Sequence, residues 1–170
     1  NTNTDLSTGK QSHETNPDSV AVTLALGRSG AHINVDGTTL DPIDGCPDSG
    51  ATVCLEDSNR DVGQLFADIR QAANQGDDER VDSLVDEAMA TYDFRGIYNV
   101  LSEVKDQHPE ESRIVLTADA DVPYALLIRA MDTCRYRLEK EQYDTDSAFA
   151  QASRKRGERL FSDPVMAIAQ

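Results

Sequence analysis

Apolar residues near the start of the chain follow the pattern of short β-strands. Residues 20–26 are mostly β-branched or aliphatic, which predicts a strand. Residues 32–35 alternate between polar and apolar positions and predict a second strand. Asp36 and Gly37 form a dipeptide typical of a tight hairpin, so residues 38–40 are expected to return as a short third strand.

The pattern changes to a helical period after Asp61, a residue type that often caps helices. Apolar positions then recur every three to four residues, which predicts amphipathic helices with core-facing stripes. The stretches with this period are residues 62–73, 81–89 and 94–104, and Gly76 lies in the break between the first two.

A third kind of pattern follows in the second half of the chain. Residues 113–118 form an apolar run that predicts a buried strand, which we expect to be central in its sheet. Asp119 begins a turn, and Asp121 is predicted to cap the next helix. Pro123 would then lie in the first helical turn, where its missing N–H costs nothing. The apolar face of this helix is expected to continue to Leu138.

The ends of the chain differ from its centre. Residues 1–18 are almost wholly polar and are expected to be a flexible leader before a folded domain at 19–170. Residues 139–159 are predicted to be helix or loop with a basic cluster at 154–159, and residues 165–169 to be a closing strand. The whole order predicts an α+β fold, a small mixed sheet with helices packed on one face.

The charge of the chain excludes some classes of partner. Its 170 residues include 31 acidic and 16 basic side chains, which gives a net charge of −15 at pH 7. We therefore exclude a nucleic-acid ligand, because phosphates require clustered lysines and arginines. The same charge argues against docking on an anionic membrane surface. The acidic residues are expected to serve mainly solubility, since we find no cluster with the spacing of a cation site.

The cysteines indicate the redox environment. Cys46 and Cys54 flank a loop rich in Gly, Pro and Asp, so their thiols can meet at bonding distance. We favour a disulfide, and with it an oxidising compartment, over two free thiols in a reducing cytosol. A zinc site would need two further ligands at a spacing that the chain does not offer. Cys134 lies at an apolar helical position and is expected to be a buried small side chain.

The sequence lacks the usual motifs of enzymes. It has no nucleophile elbow, no glycine-rich phosphate loop and no helical zinc-protease motif. His13, His32 and His108 are far apart and are expected to be structural or solvated. We therefore predict a protein that is not an enzyme and that binds no cofactor and no metal. A carboxylate pair for acid–base chemistry stays open in so acidic a chain.

Residues 113–135 closely resemble the ExbD/TolR family of biopolymer-transport proteins. In that family a periplasmic strand ends in Ala-Asp, and a turn similar to Val-Pro-Tyr-Gly leads into a helix that contains Val-Met-Asp. The corresponding residues here are Ala118-Asp119, Val122-Pro123-Tyr124 and Ala130-Met131-Asp132. We call residues 119–124 the motif turn; its family-motif residues are Asp119, Asp121, Pro123 and Tyr124. Residues 33–37 and 159–165 resemble the early hairpin and the terminal strand of the family more weakly, and Ala125 stands where the family often has Gly.

The resemblance implies a part in an energised membrane complex. Such proteins join one inner-membrane helix to a periplasmic domain in Gram-negative bacteria. Two copies work with an ExbB/TolQ-like channel as a proton-driven motor, which acts on TonB- or TolA-like envelope proteins or on gliding machinery. The helix with the proton-carrying Asp is expected to precede the leader, and residues 76–92 are expected to be an inserted helix.

Two other function classes stay open. The first is a periplasmic module that binds peptidoglycan or another glycan, with Tyr124, the Asp-rich turns and the basic residues at 154–159 as candidate contacts. The second is a small hydrolase, against which the lack of a poised His, Ser or Cys set argues.

Overall fold

The computed structural model describes residues 19–168. Within that range the chain forms strands and helices that pack around one hydrophobic cluster. In chain order the elements are β1 Val22–Gly27, β2 Gly30–Val35, β3 Thr38–Thr39, β4 Val53–Cys54, α1 Val62–Asn74, α2 Asp78–Thr91, α3 Phe94–Gln107, β5 Arg113–Ala118, α4 Tyr124–Arg135, β6 Tyr136–Leu138, α5 Asp146–Ala150, β7 Arg154–Arg159 and β8 Asp163–Ile168.

The main sheet is mixed, as the α+β prediction requires. Its strand order is β3-β2-β1-β5-β8, and β4 pairs with β2. β1 runs antiparallel to β2 and parallel to β5, and β5 runs parallel to β8. β5 has a neighbour on each side, which confirms its predicted interior position. β6 and β7 form a separate two-stranded sheet.

One face of the main sheet is buried under helices. Leu24 and Leu26 on β1 and Leu116 on β5 point into the core with almost no exposed surface. The alternate positions Thr23 and Ala25 lie on the opposite face and are half-buried. Strand burial therefore has the period of two that a sheet covered by helices on one side produces. The helices lie on one face, as expected.

The three amphipathic stretches form α1, α2 and α3 as predicted. Each helix follows an aspartate whose side chain accepts a hydrogen bond from a backbone N–H in the first turn. Asp61 caps α1 through Gln64, and Asp93 caps α3 through Gly96. Such caps satisfy donors that would otherwise lack a partner.

The predicted cap of α4 is wrong. Pro123 is the N-cap residue of α4, and no side chain caps this helix. Asp121 lies two residues earlier, and its carboxylate accepts a hydrogen bond from Arg28 instead. The extended backbone of Pro123 sets the start of the helix through its own geometry.

The end of α4 also differs from the prediction. The helix stops at Arg135, and the residues up to Leu138 form β6. The carbonyls of Cys134 and Arg135 accept hydrogen bonds from Phe161 and Leu160. These tertiary bonds draw the backbone into an extended path, although the apolar pattern itself continues.

The region after Leu138 is more ordered than its sequence indicates. It contains the short helix α5 and the strand β7, which were together predicted only as helix or loop. The closing strand begins at Asp163, two residues before the predicted start, and Ala169 lies outside the described residues.

Candidate functional site

The motif turn lies at the end of the main sheet. Because β1 and β5 are parallel, their carboxyl ends meet at the same edge. The N–H of Asp119 donates to the carbonyl of Leu26 over 3.3 Å, and the N–H of Val122 donates to the carbonyl of Asp119 over 3.0 Å. The turn is therefore attached directly to the last residues of β1.

Arg28 joins this turn to the turn between β1 and β2. Its Nη2 donates to Oδ2 of Asp121 over 2.8 Å. Asp119 and Asp61 add negative charge nearby, and the hydrogen bond with Asp121 is the main cause that raises the pKa of Arg28. The sequence offered no signal for this pair, since neither residue belongs to a motif that requires the other.

Pro123 and Tyr124 form the outer end of the motif turn. Pro123 has φ of −60°, and its carbonyl accepts a hydrogen bond from the N–H of Leu126. Tyr124 is 66% exposed, the largest value among the exposed large hydrophobic side chains of the described region. The turn therefore presents an aromatic ring to solvent three residues after Asp121, the partner of Arg28.

Tyr92 is hydrogen-bonded to the same edge of the sheet. This buried residue lies between α2 and α3, and its hydroxyl donates to the carbonyl of Gly27 over 2.7 Å. Burial raises the pKa of Tyr92 well above its usual range, so the hydroxyl keeps its proton. Sequence reasoning missed this residue because it falls in the gap between two helical patterns.

The predicted disulfide between Cys46 and Cys54 is present, with a Cα–Cα distance of 5.6 Å. Cys54 lies opposite Gly30 in the pairing of β4 with β2. A groove of about 370 Å³ beside the disulfide is lined by Arg28, Ser29 and Cys54 among others. The turn between β1 and β2 thus lines the groove beside the disulfide and also contacts the motif turn through Arg28.

A second polar cluster lies elsewhere and was not predicted. Carboxylate oxygens of Glu56, Asp93 and Asp146 all lie within 4.8 Å of one another. Nε of Arg95 donates to Oδ1 of Asp146 over 2.7 Å. Desolvation and the neighbouring Asp146 raise the pKa of Glu56 to about 7, whereas the bond with Arg95 lowers the pKa of Asp146. Three separate chain segments supply these residues, so no local spacing could reveal the cluster.

The remaining titratable candidates are placed as follows. Cys134 is fully buried, and burial raises the pKa of its thiol to about 12. His32 lies half-buried on β2, and His108 is the C-cap residue that follows α3. His13 lies outside the described residues. Within the described part of the chain, Cys134, His32 and His108 are not among the residues that bond to the motif turn.

The family is decided by comparison with known proteins. A family model described as the biopolymer transport protein ExbD/TolR matches residues 4–142, which is most of the chain. The chain belongs to the ExbD/TolR family. The match includes the disulfide loop and the motif turn, and it ends before β7 and β8. A search of curated proteins gave no match.

Membership identifies the chain as an energy-transducing subunit of biopolymer transport, a family whose proteins are not enzymes. Between residues 19 and 168, no helix combines the length and the apolar character that crossing a bilayer requires. The groups gathered at the motif turn are an ion pair, backbone hydrogen bonds and an exposed phenol. The ion pair and the backbone hydrogen bonds fix the position of the turn, and the exposed phenol is accessible to a partner.

Proposed function

We propose that residues 19–170 are the periplasmic domain of a motor subunit driven by the proton-motive force. In this proposal an ExbB/TolQ-like channel powers the subunit, which acts on a TonB- or TolA-like envelope protein to drive transport, envelope integrity or gliding. The match to the ExbD/TolR family over residues 4–142 carries the proposal. A single-pass anchor in the inner membrane of a Gram-negative bacterium is part of it.

The disulfide supports the periplasmic location. Cys46 and Cys54 are bonded, whereas Cys134 is free and buried. Disulfides persist in the periplasm and are rare in the reducing cytosol. The proposal therefore requires that the domain folds and works outside the cytosol.

The arrangement of the motif turn supports a contact that bears force. The turn is tied to β1 by the bond between Asp119 and Leu26 and by the ion pair of Arg28 and Asp121. Load applied at Tyr124 would pass into two parallel strands of the main sheet through these bonds. We infer that Tyr124 contacts the envelope partner, and that the motif turn transmits the load.

The proposal also assigns roles to the leader, residues 1–18, and to α2. The leader would tether the domain to its membrane anchor, and 18 residues could span up to roughly 60 Å when fully extended. The helix α2, Asp78–Thr91, would be an addition to the common domain of the family, as proposed for residues 76–92.

Site-specific photo-crosslinking in living cells tests the motor role. The full-length protein would carry a photo-reactive amino acid in place of Tyr124, with a matched control in place of Arg70, an exposed residue of α1. We expect a crosslink to an envelope protein at position 124 that disappears when a protonophore collapses the proton gradient. The control position should give no such crosslink. Crosslinks that do not depend on the gradient would contradict the motor role.

The exposure of Tyr124 also favours the second candidate, a peptidoglycan-binding module. An exposed aromatic ring is a surface on which a sugar ring can pack, and the same turn carries the carboxylates of Asp119 and Asp121. A pull-down on purified cell wall tests this candidate. Retention of the domain that is lost on Tyr124→Ala, but kept on Arg70→Ala, would favour glycan binding over the motor role.

A further inference from the structure

The strand β7 is a basic segment in an acidic protein. Its sequence from Arg154 to Arg159 has four basic residues and one acidic residue, and all six residues are exposed. The chain as a whole has a net charge of −15. The sign of the charge on this short strand is therefore opposite to that of the chain as a whole.

Most of this positive charge is not neutralised by the protein itself. Lys155 pairs with Glu158 over 3.1 Å. For residues 19–168, no carboxylate lies within 4 Å of the guanidinium groups of Arg154, Arg156 or Arg159. The guanidinium of Arg154 lies 3.6 Å from the ring centre of Tyr136, which holds it in place.

The backbone of β7 is open along one side. β7 pairs antiparallel with β6 through Tyr136 opposite Arg159 and Leu138 opposite Arg154, and a β-bulge in β7 lies between these two pairs. The two strands form a sheet of their own, so in the part of the chain that is described the other edge of β7 has no strand beside it. An open edge offers backbone donors and acceptors to an added strand.

The charges restrict which strand can add to this edge. A second β7 would bring like charges together, and repulsion would oppose that pairing. Charged edge strands protect proteins from pairing with their own copies in this way. An acidic segment would be attracted to this edge, because its carboxylates would pair with arginines that have no carboxylate partner in the described part of the chain.

We propose that β7 binds an acidic, extended polypeptide segment of a partner protein. The segment adds to the outer edge of β7, and its carboxylates pair with Arg154, Arg156 and Arg159. This inference does not depend on the motor role and concerns a part of the chain beyond the family match, which ends at residue 142.

The alternative occupants fit the surface less well. An anionic membrane would meet a chain whose net charge is −15, and repulsion from that charge would oppose docking. A second copy of the chain would also bring a charge of −15 against the same charge. A narrow peptide can contact the strand alone and avoids both costs.

Peptide titration by calorimetry on the intact chain tests the proposal. The probe is a short capped peptide of alternating Glu and Thr, which places its carboxylates on one side of a strand. We expect binding that weakens at least tenfold between about 20 mM and about 200 mM NaCl, because screening reduces the charge contribution. A peptide with Gln in place of Glu should bind at least tenfold more weakly. A peptide with a central Pro should also lose affinity, because it lacks a backbone donor.

The decisive variant is Arg156→Gln with Arg159→Gln, which keeps Arg154 stacked on Tyr136. We expect it to reduce affinity for the Glu peptide at least tenfold without a change in melting temperature. Arg70→Gln with Arg80→Gln removes two exposed arginines from α1 and α2 and is the matched control, for which we expect less than a twofold change.

Several outcomes would overturn the inference. One is the absence of binding at low salt, and another is equal affinity for the β7 variant and the control. Binding of vesicles of anionic phospholipid that is sensitive to the β7 variant, without peptide binding, would assign the surface to lipid. A low-salt dimer that the β7 variant abolishes would assign it to a second copy. Equal affinity for the Pro peptide would exclude strand addition.

Discussion

Nη2 of Arg28 lies 2.8 Å from Oδ2 of Asp121, although 93 residues separate the two in the sequence. The pair joins the turn after β1 to the turn after β5, at the edge where these parallel strands end. The side chain of Arg28 is 66% exposed and that of Asp121 is 14% exposed. Because water reaches the exposed guanidinium of Arg28 and screens the pair, its contribution is mainly to orient the motif turn.

Replacing Asp121 should therefore have a small effect on stability. We expect Asp121→Ala to lower the melting temperature by no more than about 2 °C and to leave the start of α4 unchanged. Asp61→Ala is the control, because Asp61 is a true cap of α1, and its loss should cost about 1 kcal/mol. Calorimetry and the amide shifts of residues 124–127 provide the measurements. Unfolding of the first turn of α4 in Asp121→Ala would contradict this expectation.

The disulfide gives a prediction about thiol counts. A thiol reagent should find no reactive thiol in the native protein, because Cys134 is buried and its pKa is raised to about 12. In denaturant it should find one thiol, and after reduction all three cysteines should react.

Removing the disulfide should also destabilise the fold. Replacing Cys46 and Cys54 by Ala should cost on the order of 2.5 kcal/mol, because the unfolded chain regains the freedom of a short loop. Three reactive thiols in unreduced protein from an oxidising compartment would contradict the disulfide and the periplasmic location together.

Gly30 is required by a close approach of two strands. A Cβ at Gly30 would lie 2.3 Å from the carbonyl oxygen of Val53, and φ at this position is +131°. Gly76 also has a positive φ, but a Cβ there would meet no atom within 4 Å. Gly76→Ala should therefore cost about 1 kcal/mol through backbone strain alone. Gly30→Ala should cost more, because β4 would have to move away from β2. Equal melting temperatures for the two variants would show that β4 can move away from a Cβ at position 30 without a cost in stability.

Comparison of the sequence with the structure shows which signals are local. The helices α1 to α3 follow from apolar periodicity, and the strand at 113–118 follows from a continuous apolar run. β7 could not be predicted because none of its residues is apolar and all are exposed. The end of α4 at Arg135 depends on hydrogen bonds from Leu160 and Phe161, which are distant in sequence.

The same distinction holds for the candidate site. The disulfide could be predicted because Cys46 and Cys54 flank one short loop. The partner of Asp121 could not, since a residue of this type can cap a helix as readily as it can pair with a distant arginine. The sequence around Asp121 indicated that this residue lies in a turn. Its contact with Arg28 depends on the pairing of β1 with β5, which no local pattern reveals.

Glu56 should make stability depend on pH. Its pKa rises from 4.5 to about 7 in the folded state, so the folded protein binds more protons than the unfolded chain between these values. The contribution of Glu56 is therefore fully present below pH 4.5 and is lost as the pH rises through about 7. The lowered pKa of Asp146 acts in the opposite sense and only at lower pH.

Glu56→Gln tests this dependence. The variant should be more stable than the parent at pH 8, by less than about 1 kcal/mol because Glu56 is exposed. Below pH 4.5 the difference should vanish. Glu103→Gln, on the exposed side of α3, controls for the loss of one carboxyl group. Chemical denaturation at both pH values measures the effect, and a stabilisation that is the same at each would exclude titration of Glu56 as its cause.

The edge strand β8 leads to a prediction about self-association. β8 pairs with β5 on one side, and no described strand pairs with its other side. An open edge can pair across a two-fold axis, but the charge of −15 on each copy opposes that contact. Because salt screens repulsion within about 10 Å at 0.1 M, we expect monomers at low salt and a growing dimer fraction at high salt. Sedimentation velocity at two salt concentrations measures the dimer fraction.

A variant on the strand tests whether β8 forms the contact. Met166→Glu on β8 should reduce the dimer more than Ser83→Glu on α2, which adds the same charge elsewhere. A tight dimer that is insensitive to salt would require a large apolar interface, and it would mean that pairing does not depend on the membrane part of the proposed motor.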